Sequence, residues 1–180
     1  MFRSFLIVVL FSSLILGQES QPKHGFVGTA TCGMCHKTEK QGNQLGIWEK
    51  SLHAQAYKTL QTEKADNIAK EKGFTTPAVK TPECLKCHAS GYDVDASLIG
   101  AKFKVEDGVQ CETCHGAGAD YKTMNIMKDQ KAAIEKGLVV PTDIKSFCVQ
   151  CHNSESPTYD KNMDLDKMWD QIKHQIPGEK

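Results

Sequence analysis

Cys32-Gly33-Met34-Cys35-His36, Cys84-Leu85-Lys86-Cys87-His88, Cys111-Glu112-Thr113-Cys114-His115 and Cys148-Val149-Gln150-Cys151-His152 together use all 8 cysteines of the chain. On a helical turn, residues i, i+3 and i+4 lie on one side. Each stretch therefore brings two thiols and one imidazole to a common face. This is the attachment pattern of a c-type haem: the thiols add to the two vinyl groups along the haem edge, and the imidazole sits beneath the iron. It assigns Cys32, Cys35, Cys84, Cys87, Cys111, Cys114, Cys148 and Cys151 to covalent attachment of four haem c groups. It assigns His36, His88, His115 and His152 to the proximal side of the four irons. Two zinc sites could use the same thiols, but such sites need no His behind every pair. A disulfide framework rarely spaces its cysteines in these pairs. A thioredoxin-like site needs a βαβ setting that the sequence lacks.

The ligand count is informative. The chain has 7 histidines, and the motifs use His36, His88, His115 and His152. His53, His174 and His24 remain for the opposite faces of four irons, so at least one iron takes another ligand or stays five-coordinate. His53 is the first candidate, on an amphipathic stretch beside Leu52 and Ala56. His174 lies off the helical face of Leu165, Met168, Trp169 and Ile172, and reaches an iron most easily if that helix has ended. His24 lies in a polar leader. Met124 and Met127 are the thioether candidates, against the commoner role of methionine as core filler. Met34, inside a motif, is badly placed to reach the far face of its own haem.

The remaining chain suits a haem-filled interior. Of 180 residues, 22 are Lys or Arg and 22 are Asp or Glu, with no basic stripe to suggest nucleic acid. Haem propionates would make the holoprotein mildly acidic. Arg3 precedes an apolar run from Phe5 to Leu16, too short to span a bilayer comfortably and suited to a signal peptide. The expected division is 1–17 as signal peptide and 18–180 as a tetrahaem domain, exported to the periplasm, with no membrane span in the mature chain. Large aliphatics are scattered, so the haem-free chain is expected to be largely unfolded. Leu45, Trp48, Leu52, Ala56 and Leu60 predict one helical face. A polar helix follows and ends at Gly73. Thr81-Pro82-Glu83 reads as a helix start with Thr81 as the cap. Tyr121, Met124, Met127 and Ile134 outline a segment ended by Gly137, and Leu165 to Ile172 the last helix. Gly91 to Lys104 reads as a loop or weak hairpin. The fold class is mainly α: helices and long loops wrapped around four packed haems.

Phe26-Val27-Gly28-Thr29, Trp48 through Ala56, Gly108 through Gly118 and Cys148 through Pro157 resemble the tetrahaem cytochromes of the cytochrome c-554 family, across nearly the whole mature chain. The resemblance implies a mostly helical fold, haems in closely packed pairs and periplasmic one-electron transfer. It implies three bis-His haems and one five-coordinate haem. It also implies that His53 serves the third haem, opposite His115. Relatives often carry a distal His shortly after the third motif. Here that region, Gly118 to Met124, has none, and Met124 lies close to the expected place. Ala117 stands where relatives have Pro. The favoured reading is an electron carrier between a redox protein donor and acceptor, rather than an enzyme. The alternatives are a nitrogen oxide reductase acting at a five-coordinate haem, and an electron-relay subunit of a membrane-bound redox complex.

Overall fold

The computed structural model describes residues 24–175; the expected signal peptide, residues 1–17, lies outside them. The described chain is mainly helical. In order come α1 (Thr29–Cys32), α2 (Gln44–Glu49), α3 (Ala56–Thr59), α4 (Glu63–Glu71), α5 (Pro82–His88), α6 (Cys111–His115), α7 (Met124–Met127), α8 (Gln130–Glu135), α9 (Ile144–Cys148) and α10 (Leu165–Ile172). Among the described residues the β structure is an isolated parallel bridge, Phe26 to Ile99. The Gly91–Lys104 stretch is thus a loop. The Phe26 and Phe103 rings pack edge to face at 5.6 Å against it.

The short helices have local causes. The Thr62 hydroxyl accepts from the Ala65 N–H and starts α4. Gly73, at φ +86°, ends that stretch, as the sequence predicts. Asp129, Asp143 and Asp164 cap α8, α9 and α10 through their side-chain oxygens. Thr81 precedes Pro82 as expected, but its hydroxyl does not cap α5. It is fully buried and donates instead to the Pro77 carbonyl at 2.9 Å. The cap position is right and the bond is different, because the preceding turn offers a closer acceptor.

Two expected helices are broken. The Leu45–Leu60 face is divided between α2 and α3, with a 3-10 turn at His53–Gln55 between them. Trp48 Nε1 donates to the Val109 carbonyl at 2.7 Å, and the Val109 N–H donates to the His53 carbonyl at 3.0 Å. The His53 carbonyl accepts both the Ala56 N–H, which closes the 3-10 turn, and the Val109 N–H, which holds the third motif's approach. Likewise the Tyr121–Ile134 segment is α7 and α8, interrupted where Asp129 begins a new helix.

The protein core is thin. Its buried apolar residues are mostly alanines, with Val27, Leu60 and Tyr121 the larger ones. Leu60, Ala69 and Ala78 form one cluster, against which Phe74, Val79, Cys84 and Leu85 pack. This cluster seats the second motif. Large apolar side chains stand exposed beside the motifs, among them Leu52 next to His53, Val139 next to the third motif and Val149 inside the fourth.

Candidate haem centre

Each motif makes one helical turn. The second and third lie wholly within α5 and α6. In the first and fourth the helix ends at the leading cysteine, but the i to i+4 bond continues: His36 N–H to the Cys32 carbonyl at 3.1 Å, His152 N–H to the Cys148 carbonyl at 2.9 Å. Two thiols and an imidazole therefore share a face in all four places. The 8 cysteines are free of disulfides. Among the described residues no three His, Cys, Asp or Glu side chains converge as a cation site requires.

The imidazoles are held in ligand-like orientation. His88 Nδ1–H donates to the Ala56 carbonyl at 2.8 Å, and His115 Nδ1–H donates to the Val139 carbonyl at 3.1 Å. A carbonyl partner fixes the tautomer and leaves Nε2 with a free lone pair, the usual support behind a ligating histidine. Burial lowers the pKa of His53, His115 and His152, keeping these rings in the neutral form that a metal requires.

Two pairs of rings then face each other. His53 and His152 have centroids 6.2 Å apart at an interplanar angle of 48°. His115 and His174 have centroids 5.8 Å apart at 44°. Two metal–nitrogen bonds of about 2 Å, extended to the ring centres on either side, span about 6 Å, so each gap matches an iron held between two imidazoles. The ring tilt is free, because axial rings rotate about a common line. The resemblance implies His53 opposite His115, whereas here the His53 ring lies beside His152 and the His115 ring beside His174. The bend after α2 and the course of the chain beyond α9 carry His53 to the fourth motif instead. The α10 helix ends at Ile172, which leaves His174 outside it and turned to the third.

The motifs also group in space. The Cys32 and Cys111 thiols are close neighbours, linking the first motif to the third. Cys87 and Cys151 link the second to the fourth in the same way, and the pKa of Cys151 is pushed up to about 12, chiefly by burial. Cys114 is within electrostatic reach of Cys148. Lys86, inside the second motif, pairs with Glu155 just past the fourth.

The remaining candidates sit apart from these pairs. His24 Nδ1–H donates to the Asp120 carboxylate, and its ring lies against Gly137. Met124 is 65% exposed at the start of α7, and Met127 is half-buried. Met34 is exposed, with its sulfur 3.7 Å from Lys102 Nζ. Sequence reasoning passed over Asp120, Glu112 and Gln110. Only Glu112 and Gln110 carried a visible signal, as polar residues flanking the first cysteine of the third motif.

The donor set, the facing imidazoles and the thin core all fit c-type haem. The family described as cytochrome c554 and c-prime matches residues 31–116, which hold the first three motifs. Cytochrome c-554 of Nitrosomonas europaea is 28% identical over 121 residues, covering 65% of this chain and 49% of that protein. The match thus spans about half the length of that relative. No solved structure matches the chain. No helix among the described residues is long and apolar enough to cross a membrane. The attachment motifs, the family match and this relative agree in making the chain similar to the cytochrome c-554 family.

Proposed function

We propose that the chain is an exported tetrahaem cytochrome that carries electrons, one at a time, between redox proteins in the periplasm. Haem iron, when bound, supplies the one-electron ferric/ferrous couple. One observation carries the reading: all four motifs fold as single helical turns, and two of their imidazoles each face a second histidine across an iron-sized gap. His152 with His53, and His115 with His174, would each hold an iron between two imidazoles. Their neutral rings stabilise the metal without a change of ligand between oxidation states, which suits transfer rather than chemistry.

His36 and His88 are the proximal ligands whose opposite faces remain to be assigned. His24, steadied by Asp120, is one candidate, and Met124 and Met127 are the others. Removal of residues 1–17 on export would leave residues 18–180 as the functional domain. The histidine count favours a second reading, since one iron has no imidazole to spare: a five-coordinate site open to a small nitrogen oxide.

A redox titration of the purified holoprotein, followed by electron paramagnetic resonance, tests both readings. Four one-electron steps with at least two bis-His low-spin signals support the carrier. A high-spin haem that binds carbon monoxide once reduced moves the weight to the reductase. Fewer than four redox-active haems would refute the tetrahaem assignment.

A further inference from the structure

Glu112 lies inside the third motif, directly after Cys111, where a carboxylate on a short exposed helix would ordinarily face water. Instead it is buried, at 3% exposure. Its Oε1 accepts from the Val27 N–H at 2.9 Å and the Gly118 N–H at 2.7 Å, and its Oε2 accepts from the Gly28 N–H at 2.8 Å. Val27 and Gly28 lead directly into α1, which ends at Cys32. Gly118 follows the third motif. A single side chain therefore ties the approach to the first motif onto the third motif and the turn that follows it.

Gln110, also buried, adds a second tie. Its Oε1 accepts from the Thr29 N–H at 3.2 Å and the Thr29 hydroxyl at 3.0 Å, while its amide donates to the Lys104 carbonyl at 2.8 Å. The clip is tightly enclosed: a Cβ added at Gly118 would stand 3.0 Å from Val27 Cγ2 and 3.2 Å from Glu112 Oε1. The second and fourth motifs have no equivalent buried carboxylate in their linkage, which runs through the exposed Lys86–Glu155 pair. A buried carboxylate with three N–H partners is costly to disturb, and its bond directions are fixed.

We propose that Glu112 is a positioning residue that sets the spacing and angle between the first and third haem-attachment sites. The proposal rests on the tetrahaem reading above. It predicts that electronic coupling between those two haems depends on a side chain that touches neither. Glu112→Gln discriminates well. It keeps the shape but presents an amide where one carboxylate oxygen was. Either the Gly28 N–H, or both the Val27 and Gly118 N–H groups, then faces another donor.

The test is visible circular dichroism of the holoprotein in the Soret region, where two close haems give a split signal that reports their mutual geometry. It is read beside haem content by pyridine haemochrome. Tyr121→Phe serves as the control. The Tyr121 hydroxyl donates to the His115 and Gly116 carbonyls at 3.0 and 2.8 Å, so its loss loosens the third motif without opening the clip. The expected result is a loss of split-signal amplitude in Glu112→Gln at unchanged haem content, with amplitude retained in Tyr121→Phe. Glu112→Gln with wild-type amplitude and only a lower melting temperature overturns the positioning role alone. A wild type lacking haem at the first or third motif overturns the tetrahaem reading, and the positioning role with it.

Discussion

His53 illustrates how much one side chain carries. Its ring faces His152, its carbonyl receives Val109, and Leu52 beside it is 82% exposed. An exposed leucine next to a half-buried imidazole is poor design for a protein alone and good design for a haem edge. His53→Ala is expected to convert one haem from low-spin to high-spin, with thioether attachment intact. His174→Ala is expected to do the same to a different haem. Paramagnetic resonance of the two variants checks this, and loss of the same signal in both would contradict the pairing. The odd iron is also decided at this scale. A thioether stabilises ferrous iron more than imidazole does and would raise that haem's potential. Met124 is exposed on the protein alone, as a residue awaiting a haem would be. If it is the ligand, the near-infrared charge-transfer band of iron–thioether bonding appears in the wild type. That band then disappears in Met124→Ala and persists in Met127→Ala.

Among the elements, α4 and α8 end in the same way with different surroundings. Gly73 (φ +86°) has open space where a Cβ would go, whereas at Gly137 (φ +99°) a Cβ would stand 2.6 Å from the His24 ring. Left-handed backbone costs a non-glycine residue about 1–2 kcal/mol. Gly73→Ala should cost about that much, a fall of roughly 2–8 °C in melting temperature for a chain of this length. Gly137→Ala should cost more and should also displace His24 from Asp120. Thermal melts of the two holoprotein variants give the comparison. Equal melting temperatures would mean that the His24 ring yields freely. The broken helices teach a related point. Trp48 and Leu52 predict a continuous stripe, but α2 ends at Glu49, and the Trp48 indole and the His53 carbonyl both bond Val109 from the far segment.

Taken whole, the molecule is a set of short helices around a poorly filled interior. Its cluster at Leu60, Ala69 and Ala78 is small, and the other buried apolar side chains are mostly alanines. Apolar burial is the main term opposing chain entropy, so haem faces must supply most of it. The chain made without haem attachment is expected to show no cooperative melt. The mature holoprotein, denatured and extracted with acid acetone, is expected to retain four covalently bound haems per chain. A cooperative unfolding transition of the haem-free chain, or a haem content near two, would count against this account.

The sequence by itself determined what is local. Cys-x-x-Cys-His needs only one helical turn, so the turns at the four motifs were legible without any knowledge of the fold. Gly73, Gly137 and the last helix from Leu165 to Ile172 were legible for the same reason. So was the shortage of histidines, which is a matter of counting. Tertiary structure alone decided which distant segments meet. His53 faces His152 rather than His115 because the chain bends at Ser51–Leu52, where the Ser51 hydroxyl closes back on the Trp48 carbonyl at 2.7 Å. Glu112 reads in sequence as an ordinary polar residue of a short helix. Only when Val27, Gly28 and Gly118 converge does it become a buried anchor. Local periodicity records the bonds within a turn, whereas the pairing of remote segments depends on where unsatisfied backbone groups and apolar surfaces find partners, and those partners exist only in the folded chain.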